Sequence, residues 1–138
     1  MAASTTPIFS RLADIQWANE AKTANTDKQA DAGTVYTIFT ADGTNGGFVD
    51  KLVIQAAGSN IATLLRFFIN NGGATSTAAN NVMIREVSLA AVTSSETAAI
   101  PAVEVLLGFA LPAGYTIIMT VATGIAAGVN VTAIGGKY

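Results

Sequence analysis

The sequence contains no cysteine and no histidine among its 138 residues. Without cysteine the chain forms no disulfide, offers no thiolate nucleophile and builds no cysteine-ligated zinc or iron–sulfur site. Without histidine it cannot assemble a Ser-His-Asp triad, which leaves only rarer Ser-Lys or threonine-based arrangements for nucleophilic catalysis. The two absences predict a protein that is not an enzyme and that has no catalytic residue, cofactor or metal.

Charged side chains are also scarce, at 12% of the residues, which is about half the usual share in a soluble protein. Hydrophobic residues make up 51%, enough to bury the core of one domain. The centre of a protein–protein interface is depleted in charge. We therefore favour a protein that packs against other chains over a weakly charged monomer.

The basic residues form no run or stripe, and the net charge is −2. Binding to a phosphate backbone or to an anionic membrane surface needs such a basic patch. We therefore expect no nucleic-acid partner and no membrane. The beginning of the chain lacks the basic and apolar regions of a secretory signal, and Glu104 and Pro112 interrupt the most apolar stretch, Ala98–Thr123.

Residues 1–33 differ from the rest of the chain because they are polar and contain few β-branched apolar residues. Their strong apolar side chains are Ile8, Phe9 and Trp17. We interpret this segment as an extended N-terminal arm, with a short strand around Ile15–Ala18, that docks through Trp17. A short amphipathic helix over Leu12–Lys22 is the alternative.

From Thr34 onward the apolar residues recur with a period of two, as in Tyr115–Ala122, which is typical of β-strands. Turn signals such as Asp42-Gly43 and Leu111–Gly114 separate the strands every 10 to 15 residues. The Ile61–Asn70 run is apolar on both faces and predicts a strand covered on both sides. Residues 34–138 therefore predict an all-β antiparallel sandwich of jelly-roll or other Greek-key type, with seven to eight strands.

Two glutamates, Glu86 and Glu104, lie in predicted strands and are the best carboxylate candidates for acid–base chemistry. We expect them instead to pair with arginine, solvent or another subunit. The Gly43–Gly47 run resembles a phosphate-binding loop, but no helix follows it, so a hairpin turn is favoured. Asp42 with its neighbours Thr44 and Asn45 offers too few oxygens for a calcium site.

Four aromatic residues suggest a sugar-binding platform, because aromatic rings stack on the apolar faces of sugars. They are dispersed along the sequence, which favours packing in a core or an interface instead. They are Trp17, Tyr36, Tyr115 and Tyr138.

Five runs in the body share a pattern of strand and turn motifs. They are Gly33–Asp42, Asn45–Val49, Ile69–Gly72, Leu111–Tyr115 and Gly135–Tyr138. These runs resemble small structural proteins of tailed-phage virions, above all the head decoration, or capsid cement, proteins, and the resemblance covers most of residues 33–138.

This resemblance implies a β-sandwich that forms a homo-oligomer, often a trimer, and binds the major capsid protein on the outside of the virion after synthesis in the host cytoplasm. It implies no catalytic residues. We assign the interface to Ile8, Phe9, Trp17 and Tyr138. The alternatives are a tail, baseplate or fibre-associated virion component, or a carbohydrate-binding β-sandwich.

Overall fold

The computed structural model describes residues 12–138, which form eight β-strands and one short 3-10 helix, Ala78–Asn80. The predicted all-β fold is confirmed. The strands are β1 (Leu12–Ala21), β2 (Tyr36–Thr40), β3 (Gly47–Ala56), β4 (Thr63–Asn70), β5 (Asn81–Leu89), β6 (Val103–Leu111), β7 (Thr116–Val121) and β8 (Val129–Lys137).

The strands form two four-stranded antiparallel sheets that pack face to face. The first sheet has the order β1-β8-β3-β6 and the second has the order β2-β7-β4-β5. The first strand pairs with the last, the second with the seventh, the third with the sixth and the fourth with the fifth. This nested pairing, as of one long hairpin rolled into a sandwich, is the strand order of a jelly roll.

The core lies between the two sheets and follows the alternation of the strands. In β3, Val49, Leu52 and Ile54 are buried, and in the facing sheet Phe67 and Met119 are fully buried. The pairing of β3 with its two neighbours shifts by one residue between Val49 and Lys51. This shift lets Leu52 and Ile54 face the core on the same side as Val49. The period-two pattern therefore predicts which side chains form the core.

Strand β4 is covered on both sides, as its sequence predicts. Phe67 packs in the core between the sheets, whereas its neighbour Phe68 is fully buried on the opposite face with Ile118. Successive side chains of a strand point to opposite faces, so two buried neighbours require a covering element outside the sandwich as well as the core inside it.

Residues 12–21, which the sequence analysis placed in the arm, form β1 at the edge of the first sheet. Leu12 pairs with Lys137 and the pairing with β8 continues to Ala21. The segment is a strand and not the alternative helix. Its side chains alternate as in a strand, with Gln16 and Ala18 facing inward and Ile15 and Trp17 facing outward. The division at residue 33 therefore does not separate β1 from the sandwich.

One side chain joins the two sheets at the edge formed by β1 and β2. The Gln16 side-chain amide donates to the Thr40 carbonyl at 2.9 Å and accepts from the Thr40 backbone N–H at 2.9 Å. It thereby replaces the backbone pairing that an edge strand lacks. At the opposite edge, formed by β5 and β6, the link is a long hydrogen bond of 3.4 Å from Arg85 Nη2 to the Leu106 carbonyl.

The Gly43–Gly47 run is a turn between β2 and β3. Gly46 adopts a positive φ of 78°, and a Cβ there would lie 2.5 Å from the Leu111 carbonyl oxygen. Asp42 Oδ2 accepts hydrogen bonds from the backbone N–H groups of Asn45 and Thr44, and these bonds lower the pKa of Asp42. The loop is thus built by its own hydrogen bonds.

Candidate assembly surface

The outer face of the first sheet carries exposed apolar side chains, and no other segment of residues 12–138 covers it. We call it the bare face. Trp17 is 65% exposed, Leu106 68% and Ile15 53%, and three half-buried side chains accompany them. The bare face consists of Ile15, Trp17, Phe48, Val53, Leu106 and Ile134.

The register of the sheet brings these side chains into neighbouring rows. In one row Ile15 pairs with Ile134, which pairs with Lys51, which pairs with Leu106. In the next row on the same face Trp17 pairs with Thr132, Thr132 with Val53, and Val53 with Glu104. Directly opposed side chains in a sheet lie close together, so Ile15 adjoins Ile134, and polar residues lie among the apolar members of the face.

The charge on the bare face is largely self-compensated. Lys51 Nζ lies 3.1 Å from Glu104 Oε1, in a pair whose side chains are 28% and 54% exposed. A pair this exposed contributes at most about 1 kcal/mol to stability. Its effect on the surface is to cancel two charges within a low-charge face.

The outer face of the second sheet is covered by the chain itself. Residues 22–35, between β1 and β2, cross this face, and we call them the covering segment. Ala30 of this segment is 1% exposed and forms a small buried cluster with Phe68 and Ile118, flanked by Val35 and Met83. This cluster accounts for the second buried side of β4.

Asn25 holds the covering segment in place. Its Nδ2 donates to the carbonyls of Ala32 at 2.8 Å and Thr34 at 2.9 Å, and its Oδ1 accepts from the Asp27 N–H at 2.9 Å. Gly33 adopts a positive φ of 73° and passes so near that a Cβ would lie 2.9 Å from Asn25 Nδ2. Asn25 is only 6% exposed, so these bonds are made largely away from water.

Two aspartates of the covering segment, Asp27 and Asp31, shift the pKa of one another in opposite directions. The hydrogen bond from Asp31 lowers the pKa of Asp27, with further contributions from backbone N–H groups. The same bond to Asp27 raises the pKa of Asp31. Both carboxyls lie at the surface, and their hydrogen bonds stay within the loop, so the pair shapes the segment and presents no catalytic geometry.

The two carboxylate candidates lie on different sheets and do not form an acid–base pair. Glu104 is in β6 and pairs with Lys51, whereas Glu86 is in β5 with its Oε2 4.0 Å from Arg66 Nε. Arg66 is 9% exposed, and its Nε and Nη1 have no hydrogen-bond partner among the described residues. Within residues 12–138 no three acidic side chains converge as a metal site would require.

The structure also separates the four aromatic residues. Trp17 is on the bare face, whereas Tyr36 and Tyr115 pack against the core between the sheets. The Tyr36 hydroxyl accepts hydrogen bonds from the N–H groups of Lys22 and Thr23. No shared platform forms from these side chains.

Comparisons with protein-family models, with curated proteins and with solved structures found no match to this chain. Residues 12–138 contain no helix that could cross a lipid bilayer.

Of the four interface residues predicted from sequence, Trp17 lies on the bare face and Tyr138 follows the end of β8, half-buried. Ile8 and Phe9 lie outside the described residues. The sequence analysis missed the other five members of the bare face. A signal was present: β3 and β8 carry apolar residues on both faces, and only one face of a sheet can point into the core.

Proposed function

We propose that this protein is a structural virion protein that binds the outside of a phage capsid as a homo-oligomer, a trimer by the resemblance, and stabilises the shell by bridging capsid subunits. The observation that carries the proposal is the bare face. Residues 12–138 leave six apolar side chains on the outer face of one sheet and cover the equivalent face of the other, an arrangement suited to binding another protein.

The chemistry of the bare face favours a protein partner. Exposed tryptophan is the residue type most often found at the energetic centre of interfaces. Each buried Å² of apolar surface contributes about 25 cal/mol. Because Lys51 and Glu104 already neutralise each other, covering this face leaves neither of these two charges without a partner.

The location of the protein tests the proposal directly. Virions purified from the host that carries this gene are examined by mass spectrometry and by cryo-electron microscopy. We expect the chain at high copy number, as density on the outer surface of the shell with β1 toward the capsid. Its absence from particles contradicts the proposal, and density on the tail supports a tail or baseplate component instead.

A substitution in the bare face tests which surface binds. Leu106→Asp places a charge beside Lys51 without disturbing the core, since Leu106 is 68% exposed. We expect its occupancy on particles to fall at least about tenfold, the effect of losing roughly 1.4 kcal/mol. Val82→Asp, at a 58% exposed valine on the second sheet, is the matched control and should bind as the parent does. Equal loss in both variants contradicts the assignment of the face.

Carbohydrate binding is the second candidate, favoured by one observation. The Trp17 side chain is exposed on a flat sheet, with Thr132 beside it as a hydrogen-bonding neighbour for a sugar hydroxyl. A glycan array probed with the parent protein and with Trp17→Ala separates the two candidates. Binding that disappears in the variant supports a lectin-like role, and silence across the array leaves this candidate without support.

A further inference from the structure

A second apolar feature lies at the open edge of the sandwich, where β5 and β6 have no outer neighbour. A cavity of about 240 Å³ is formed there between the two sheets. Its lining includes Ile54 and Val103 of the first sheet, Leu89 of the second and Ile61, Val92 and Ile125 of the connecting loops. We call it the edge cavity.

The edge cavity is open to a partner. Ile61 is 60% exposed and Val103 is 38% exposed, and the lining residues Ser88 and Ala90 are exposed as well. Large apolar side chains at a cavity mouth lose contact with water only when something enters. The cavity is therefore an apolar binding site by its shape as well as by its lining.

The two buried polar side chains of the edge cavity, Asn60 and Thr63, already have hydrogen-bond partners, which favours an apolar occupant. Asn60 Nδ2 donates to the Gly128 carbonyl, and Asn60 Oδ1 accepts from the N–H groups of Ala127 and Gly128. Thr63 Oγ1 donates to the Thr123 carbonyl and accepts the Thr123 N–H. A ligand entering here finds no buried polar atom of these two residues in need of a partner.

An apolar cavity of about 150 Å³ is large enough to bind benzene, so the 240 Å³ of the edge cavity accommodates a phenyl ring and a neighbouring aliphatic group. One pair of this kind lies outside the described residues, in an otherwise polar stretch of the sequence. It is Ile8-Phe9, preceded by Thr5, Thr6 and Pro7 and followed by Ser10 and Arg11.

The chain is too short to place Ile8 and Phe9 in the edge cavity of the same molecule. Leu12 pairs with Lys137, at the end of the first sheet where β3 begins with Gly47. The cavity lies at the other end, at Ile54 and Val129, so seven to eight residues of strand separate the two, or about 23–26 Å at 3.3 Å per residue. Phe9 precedes Leu12 by three residues, which span at most about 11 Å.

We propose that the edge cavity of one molecule binds the Ile8-Phe9 segment of a second copy of this chain. The exchange buries the exposed side chains at the cavity mouth and joins copies through a surface distinct from the bare face. It therefore does not depend on the capsid proposal, and it gives a homo-oligomer even in the absence of a virion.

Disulfide cross-linking tests this contact, because the natural chain has no cysteine and every disulfide must join engineered positions. One copy carries Ser10→Cys, next to Phe9, and an isotopically labelled copy carries Ile61→Cys at the cavity mouth. The copies are mixed and oxidised, and the cross-linked peptides are identified by mass spectrometry. Ser10→Cys mixed with Ala79→Cys, an exposed alanine on the 3-10 helix, is the control.

We expect a disulfide between the Ser10→Cys and Ile61→Cys copies at several times the control yield, and its loss when Phe9→Ala is added to the Ser10→Cys copy. A yield equal to the control overturns the proposal. So does a double variant, Ser10→Cys with Ile61→Cys, that forms its disulfide within one chain.

Assembly in solution gives an independent readout. Phe9→Ala removes the proposed occupant, and Ala90→Phe fills the mouth of the edge cavity from an exposed position outside the core. We expect each to raise the dissociation constant of the oligomer at least about thirtyfold, the effect of truncating an interface hot spot. Ala79→Phe, the matched control, should leave it unchanged. A folded Ala90→Phe or Phe9→Ala that assembles like the parent overturns the proposal.

Discussion

The two outer faces of this sandwich carry similar apolar side chains but are covered in different ways. On the second sheet, the covering segment folds back and buries Phe68 and Ile118 under Ala30. On the first sheet, Trp17 and Leu106 remain about two-thirds exposed. Within residues 12–138 the chain covers one apolar sheet face and leaves the other exposed, and this contrast is the reason that we propose a partner for the bare face.

The largest effect is expected from truncating the same residue type on each face. Phe68→Ala removes a fully buried ring and should lower the free energy of unfolding by about 3–5 kcal/mol. Phe48→Ala, on the bare face and half-buried, should cost less than half as much. Denaturant titration at a concentration where the protein is unassembled measures both. Equal costs would mean that the two faces do not differ in how well they are covered.

A substitution on the bare face should weaken assembly and leave the free energy of unfolding nearly unchanged. Trp17→Ala should weaken binding to the partner surface by about 2–4 kcal/mol, because a large exposed ring becomes buried only in the complex. The free energy of unfolding of the isolated chain should change by less than about 1 kcal/mol, since Trp17 is 65% exposed. Sedimentation and particle-binding assays measure the first quantity and denaturation the second. Unchanged assembly would place Trp17 on an unused surface.

Loosening the covering segment should make the second face resemble the first. Asn25→Ala removes two donated hydrogen bonds and one accepted bond at a buried site, which should cost about 1–3 kcal/mol. Hydrogen exchange should rise selectively in residues 26–35. The exposed Asn19 in β1 provides the control, and Asn19→Ala should alter neither quantity. Uniform exchange across the whole chain would argue against a separately held segment.

The smallest effect concerns the dependence of the covering segment on pH. The hydrogen bond to Asp27 raises the pKa of Asp31 above its ordinary value of 3.8. The stability that this bond contributes is therefore present below pH 3.8 and is lost as the pH rises through the raised pKa. Asp31→Asn keeps a donor and does not titrate. We expect its stability relative to the parent to increase between pH 4 and pH 7 in denaturant titrations, and a constant difference would contradict a raised pKa of Asp31.

Much of the fold follows from local patterns. The alternation in Tyr115–Ala122 and the apolar run Ile61–Asn70 predict β7 and β4, and both are found within a few residues of the predicted bounds. The turn at Asp42-Gly43 also follows from residue type, because the Asp42 carboxylate bonds to the backbone N–H groups just after it. The bonds of the Asp42 turn join residues only two to three positions apart, and the alternation that marks the strands is also visible locally in the sequence.

The first 33 residues show where local patterns fail. Leu12–Ala21 has few β-branched residues, so its own composition favours a strand only weakly. Its pairing partner is β8, more than a hundred residues later, and the hydrogen bonds of that ladder decide its conformation. The polar residues of the covering segment also have a role that depends on the folded structure. Asn25 and Asp27 make hydrogen bonds within the segment, and no periodic pattern in the sequence predicts these bonds.

A β-sandwich with little charge and without cysteine or histidine follows from the order of the residues alone, because strand alternation and composition need no distant partner. Which apolar faces remain open depends instead on how the whole chain folds. Whether a residue such as Trp17, Phe68 or Ile61 is core or surface depends on what folds over it from elsewhere in the chain. Within residues 12–138 the fold brings the covering segment onto one sheet and places no segment over the outer face of the other.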